Sequence, residues 1–163
     1  MISQPDSLPP MANLDRSYEE IIERLYEIYR KDFAEERAKY CRRDVAYNGV
    51  INEFSQSKVE SFWHVITHDD PTKTNRLIDH RRTERLPWSK PLIEHPFHKE
   101  IKFFFYDECD SRKGIRHYIW FENESYLVIL KRRKYDFYWI TAFHVDDRKH
   151  AYFQRNFEKR IGP

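Results

Sequence analysis

Glycine is scarce, with three in 163 residues, and no GxxxxGK[ST], GxGxxG or GxSxG run is present. These absences argue against a phosphate-cradling loop, nucleotide-driven chemistry and a serine-hydrolase elbow. Cysteine is rarer still, with two. Cys41 and Cys109 lie far apart without CxxC spacing, so neither a disulfide framework nor a cysteine zinc site is indicated, and a reducing compartment fits. No stretch approaches the roughly 18 apolar residues of a membrane span, and the start lacks the basic-then-apolar pattern of a secretory signal. The expectation is a soluble cytoplasmic protein without a membrane partner. Internal repeats and low-complexity tracts are also absent.

What the chain has in quantity is aromatic and charged residues, 17% and 34% of the total. The core is therefore expected to be built from Phe, Tyr and Trp. Charge is unevenly placed. Residues 1 to 57 hold 8 Lys/Arg against 11 Asp/Glu, whereas residues 58 to 163 hold 21 against 16 and all 8 histidines. A basic second part containing every imidazole is the place to look for a polyanion site.

The length suits one domain with a short extension in front of it. Residues 1 to 14, with Pro5, Pro9 and Pro10, read as a flexible leader, and residues 15 to 44 as an N-terminal helical extension. Ser17 opens a capping box with Glu20, and Tyr18, Ile21, Ile22, Leu25, Tyr29 and Phe33 recur at helical spacing, predicting a helix over 18–39. Residues 45 to 163 read as an α+β domain. Asn48 and Gly49 mark a hairpin turn, and Ser57 can cap a helix burying Val59, Phe62, Trp63 and Ile66. Four strands follow, over 101–106, 116–121, 126–131 and 137–143, with turn chemistry between them at Gly114, Asn123 and Asp136. They predict a four-stranded antiparallel meander carrying the N-terminal helices and a C-terminal helix over 147–159.

Candidate chemistry concentrates in FWHVITHDDPTKTNRLIDHRRTERLPWSKPLIEH, residues 62 to 95. His64 and His68 are four apart on the predicted helix and share a face, but the glutamate of HExxH and a third ligand are missing, so no metal is assigned. His64 alone suffices as an acid or base near neutral pH, and it reads equally as a packing histidine beside Trp63. Arg76, Arg81, Arg82 and Arg85, flanked by Lys73 and Lys90 and pinned by Pro87, Trp88 and Pro91, present planar forks suited to phosphate. A solvated charged face is the plainer reading. Alternation puts His117, Ile119 and Phe121 on one sheet face and Arg116, Tyr118 and Trp120 on the other, while Phe137, Trp139, Thr141 and Phe143 are expected to share a face. Aromatics beside Arg116, and the basic run Lys131, Arg132, Arg133 and Lys134, suit single-stranded RNA, or a core and a soluble edge. The RxxxxH spacing from Arg112 to His117 resembles that of helical HEPN ribonucleases, but it straddles Gly114 and enters a strand pattern.

The runs FWHVIT, DHRRTERLPWSKPLIE and RHYIWFENESYLVILKRRKYDFYWITAF, followed by a basic helix, resemble the phage-associated branch of the barnase, EndoU, colicin and RelE-like nucleases. The likeness is one of pattern and order over about residues 45 to 160. It implies a small α+β nuclease that acts on RNA without a metal or other cofactor, often as a toxin or phage effector. His64 matches the family's helix histidine, Arg82 and Arg85 its basic positions before the tryptophan, and Thr141 its last-strand hydroxyl, with His117 and Tyr126 as further candidates. The implied reaction is attack by the ribose 2′-OH to leave a 2′,3′-cyclic phosphate. Arg76, Arg81, Trp88, Arg116, Lys131, Arg132 and Arg133 are the expected RNA contacts. Two other readings stand beside it: a non-catalytic RNA- or protein-binding module of the same fold, and an N-terminal helix that docks an antitoxin, an immunity protein or a second copy of the chain.

Overall fold

A computed structural model describes residues 8–53, 55–68 and 77–163. The first helix, α1 (Tyr18–Tyr29), starts on the Ser17–Glu20 capping box and buries Ile21, Ile22, Leu25 and Tyr29. It runs into a π-helical turn, Arg30–Glu35, closed by Glu36 N–H donating to the Lys31 carbonyl at 2.9 Å. Phe33 on that turn stacks on Trp139 with ring centres 4.2 Å apart. The apolar stripe of the helix is thus packed inside the molecule.

Two short strands follow, β1 (Lys39–Tyr40) and β2 (Arg43–Ala46), joined through Cys41 and Arg42. Both joining residues have positive φ, 49° and 65°, the backbone of a tight hairpin turn that favours Asn-Gly. The chain carries neither residue there, and Asn48-Gly49 lies beyond the hairpin in an exposed loop. Next come α2 (Glu60–Ile66), β3 (Thr67–His68), β4 (Leu77–Ile78), α3 (His80–Glu84) and α4 (Ser89–Glu94). Val59, with extended backbone and no side-chain bond, occupies the N-cap of α2 in place of Ser57. Lys73 and Arg76 lie outside the described residues. The second half is β5 (Lys102–Asp107), β6 (Ile115–Phe121), β7 (Tyr126–Arg132), β8 (Phe137–His144) and α5 (Asp147–Glu158).

The four-stranded antiparallel meander is corrected by the sheet itself. Among the described residues six strands join in the order β1-β2-β8-β7-β6-β5. Strands β5 to β8 pair antiparallel in sequence order, but β2 adds to β8 in parallel through Val45–Phe137 and Ala46–Tyr138, making the sheet mixed. A two-residue and a four-residue strand carry too little alternation to be read, and a parallel pairing leaves no local mark. The sheet curls: the Tyr40 hydroxyl on edge strand β1 reaches Nδ1 of His117 on β6 at 2.8 Å. One face, with Ile119, Phe121, Tyr126, Val128 and Trp139, packs on α1, α2 and α4. The other, with Phe104, Tyr118, Trp120, Leu127 and Ile129, packs on α5 through Phe153. Among the described residues no helix is long and apolar enough to cross a membrane.

Candidate functional site

Because β2 meets β8 only at Phe137 and Tyr138, the rest of β8 from Trp139 onward has no strand on that side among the described residues. Helices α2 and α3 lie against it instead. Burial of Phe62, Trp63, Val65 and Ile66 turns Glu60 and His64, one helical turn apart, away from the core. The two line an open groove of about 260 Å³ with Asn48, Ser61, Tyr138, Trp139 and Ile140. Asn52 donates to Glu60 at 3.2 Å, fixing one carboxylate oxygen at the rim. His64 is exposed.

Asp79 caps α3 by accepting from Arg82 N–H at 3.1 Å, which sets the direction of the three arginines on that helix and its cap. Arg82 turns inward. Its Nη1 donates to the carbonyl of His64 at 3.1 Å and to that of Thr67 at 2.7 Å, and its guanidinium lies 5.6 Å from the centre of the Phe143 ring. Arg85 donates to the carbonyls of Glu124 (3.2 Å) and Arg81 (3.0 Å), pairs with Glu84, and lies over Trp88. Their side chains are only 14% and 12% exposed, so both guanidinium groups are largely committed to protein acceptors. Arg81 is exposed, and its Nη1 sits 3.5 Å from Nε2 of His144 at the end of β8. Burial and then the charges of Arg85 and Arg81 hold the His144 imidazole below the usual histidine range, with Asp79 and Asp146 pulling the other way.

The remaining candidates lie elsewhere. Thr141 stands opposite Ile129, while Leu130 stands opposite Trp139, so Ile140 is an extra residue and β8 carries a bulge. Past it the faces exchange: Phe137, Trp139 and Ala142 belong to the core under α1 and α2, and Thr141 shares the α5 face with Ile129. The shared face expected for Phe137, Trp139, Thr141 and Phe143 is therefore split. His117 is buried in a ring of aromatics, 3.9 Å from the centre of Phe105, and burial, then Arg132, lowers its pKa to about 4. Tyr126 is fully buried, bonded to Ser89 at 2.8 Å, and desolvation pushes its pKa up to about 12. Neither is in the lining of the groove. Trp88 is buried and gives its indole N–H to the carbonyl of Pro9 at 2.8 Å. Arg116 sits on the α5 face beside Tyr118, Lys131 donates to the Arg112 carbonyl at 2.9 Å, and Arg132 is exposed. Arg133 grips Asp136 through two 2.6 Å bonds and lies over Tyr138. His68 falls in β3, off the helix that carries His64.

Two groups at this edge escaped the sequence reading. Glu60 was legible as the i−4 neighbour of His64. His144 carried no signal, because its setting is made by an α3 side chain 63 residues away. No protein-family model, curated protein or solved structure matches the chain.

Proposed function

We propose that the chain is a metal-independent endoribonuclease whose reaction site is the groove between α2 and the open edge of β8. The observation that carries this reading is an exposed imidazole, His64, with a carboxylate one turn away, in a groove large enough for part of a nucleotide. In this reading His64 takes the ribose 2′-OH proton as the 2′-oxygen bonds to phosphorus. The P–O5′ bond breaks, the leaving 5′-oxygen takes a proton from water in the open groove, and the hydroxide so formed takes back the proton that His64 holds. Glu60 lies beside the imidazolium that forms and stabilises it. Arg82 acts here as the bolt that fixes the end of α2, and so the bearing of His64, through its bonds to two carbonyls. The products are a 2′,3′-cyclic phosphate and a free 5′-hydroxyl.

The test is incubation of the purified protein with RNA in EDTA and detection of cyclic-phosphate ends. His64→Ala is expected to slow cleavage by about 100-fold or more, the usual worth of a positioned acid or base. Cleavage that requires an added divalent metal, or that survives His64→Ala, sinks the reading. The commitment of Arg82 and Arg85 to protein acceptors favours a second reading, an RNA-binding module without chemistry. It predicts RNA that is bound and left intact.

A further inference from the structure

The geometry points to an anion subsite at the far end of the β8 edge, where Arg81 and His144 face each other beside the start of α5, and where a phosphate of the bound strand next to the scissile one is held. That the anion is an RNA phosphate rests on the ribonuclease reading; the subsite itself does not. Its parts come from separate elements. Arg81 projects from α3, whose other two arginines are tied down, and it is the exposed member of the set. His144 stands opposite Tyr126 in the β7–β8 register and so faces the α3 side of the sheet. The 3.5 Å approach of Arg81 Nη1 to His144 Nε2 brings two donor-capable groups together at the surface with only a long contact between them. A phosphate oxygen placed between them accepts from both, the guanidinium through its fork and the imidazolium through Nε2–H.

Position fits a neighbouring phosphate. His144 is four residues beyond Ile140, which lines the His64 groove, and four extended residues span about 13 Å. The subsite therefore lies further along the same β8 edge as the groove, on the course of a strand seated there. Lys149, on the first turn of α5, lies over Phe143 at 5.2 Å and extends the positive field.

Charge around His144 sets the pH dependence. Arg81 and Arg85 favour the neutral ring, Asp79 and Asp146 the charged one, and the neighbouring Tyr126 hydroxyl stays protonated. An anion between Arg81 and His144 removes much of the repulsion, so binding takes up a proton. The sign follows: affinity rises as pH falls through the range where the bound imidazole charges, and weakens as pH rises above it.

Sulfate is the probe, because its charge does not change over this range. Titrated into the full chain and followed by NMR of the histidine rings, it is expected to give a saturable shift at His144 that tightens from pH 7.5 to 5.5. Arg81→Ala is expected to weaken binding about tenfold, the value of one charge-assisted contact at a partly exposed site. His144→Gln is expected to keep residual binding and lose its pH dependence. No saturable shift at His144, or unchanged affinity in a folded Arg81→Ala protein, overturns the subsite. Sulfate binding by a protein that leaves RNA intact keeps the subsite and removes the ribonuclease reading. In an active protein, Arg81→Ala is expected to raise KM for an oligonucleotide and leave a dinucleoside monophosphate, which has no second phosphate, unaffected; equal effects on both also overturn it.

Discussion

Replacing Arg82 by alanine separates two uses of one guanidinium. If it is the bolt described above, its loss orphans the carbonyls of His64 and Thr67 and strips a cation from the Phe143 face. Hydrogen bonds from a charged donor contribute about 1.5–3 kcal/mol each when buried. The His64 carbonyl lies toward solvent and the Thr67 one is half-buried, so the low end applies, and about 3 kcal/mol is the expected total for the pair. For a chain of this size each kcal/mol moves the melting midpoint by about 2–4 °C, giving a drop of about 6–12 °C. Urea unfolding followed by circular dichroism measures it directly, with an unchanged slope showing that stability alone has changed. Arg82→Lys, whose single ammonium reaches one carbonyl well, is expected to lose about half as much. An Arg82→Ala protein with a wild-type midpoint and a large loss of RNA affinity would falsify the bolt and return Arg82 to the role of phosphate ligand.

Further perturbations test the frame around the site. Burial holds the His117 pKa at about 4 against about 6.5 in the unfolded chain, so its neutral form contributes stability that is complete above pH 6.5 and fades as pH falls toward 4. The difference amounts to about 3 kcal/mol. Wild-type protein is expected to lose that much more stability than His117→Phe between pH 7 and 4, and parallel pH profiles would count against it. Ser89→Ala leaves the buried Tyr126 hydroxyl without its partner and is expected to cost about 1–2 kcal/mol in urea unfolding, an effect abolished in the Tyr126→Phe background.

Strands β5 to β8 were legible because each is long enough for alternation to show and each is bounded by turn chemistry, including Gly114 at φ 61° and Ser125 at φ 54°. Helix α1 announced itself through its capping box, though not its π-helical end, which depends on how Phe33 seats against Trp139. Hidden instead were features decided at a distance. The Cys41-Arg42 turn uses residues that do not advertise positive φ, and the pairing of Val45 with Phe137 joins opposite ends of the chain. Thr141 shows how one inserted residue defeats a correct local pattern: period-2 counting from Phe137 holds to Trp139 and fails at Ile140. For the site, residue type marked His64, but spacing could not tell an arginine that reaches solvent from one that turns back to a carbonyl. Arg81 and Arg82 are adjacent in sequence and opposite in use.

The parallel pairing of β2 with β8 also sets a schedule. On a ribosome β2 emerges first, and its strand partner is 92 residues later in the chain, from 45 to 137. Until then Val45 and Ala46 have only the β1 hairpin beside them. The α1 face must likewise wait for Trp139, against which Tyr29 and Phe33 stack. The half-made protein therefore holds an apolar helix and an unpaired strand edge while the residues between β2 and β8 are made, and closure of that long loop is the step at which the curled sheet, and with it the groove along β8, comes into existence.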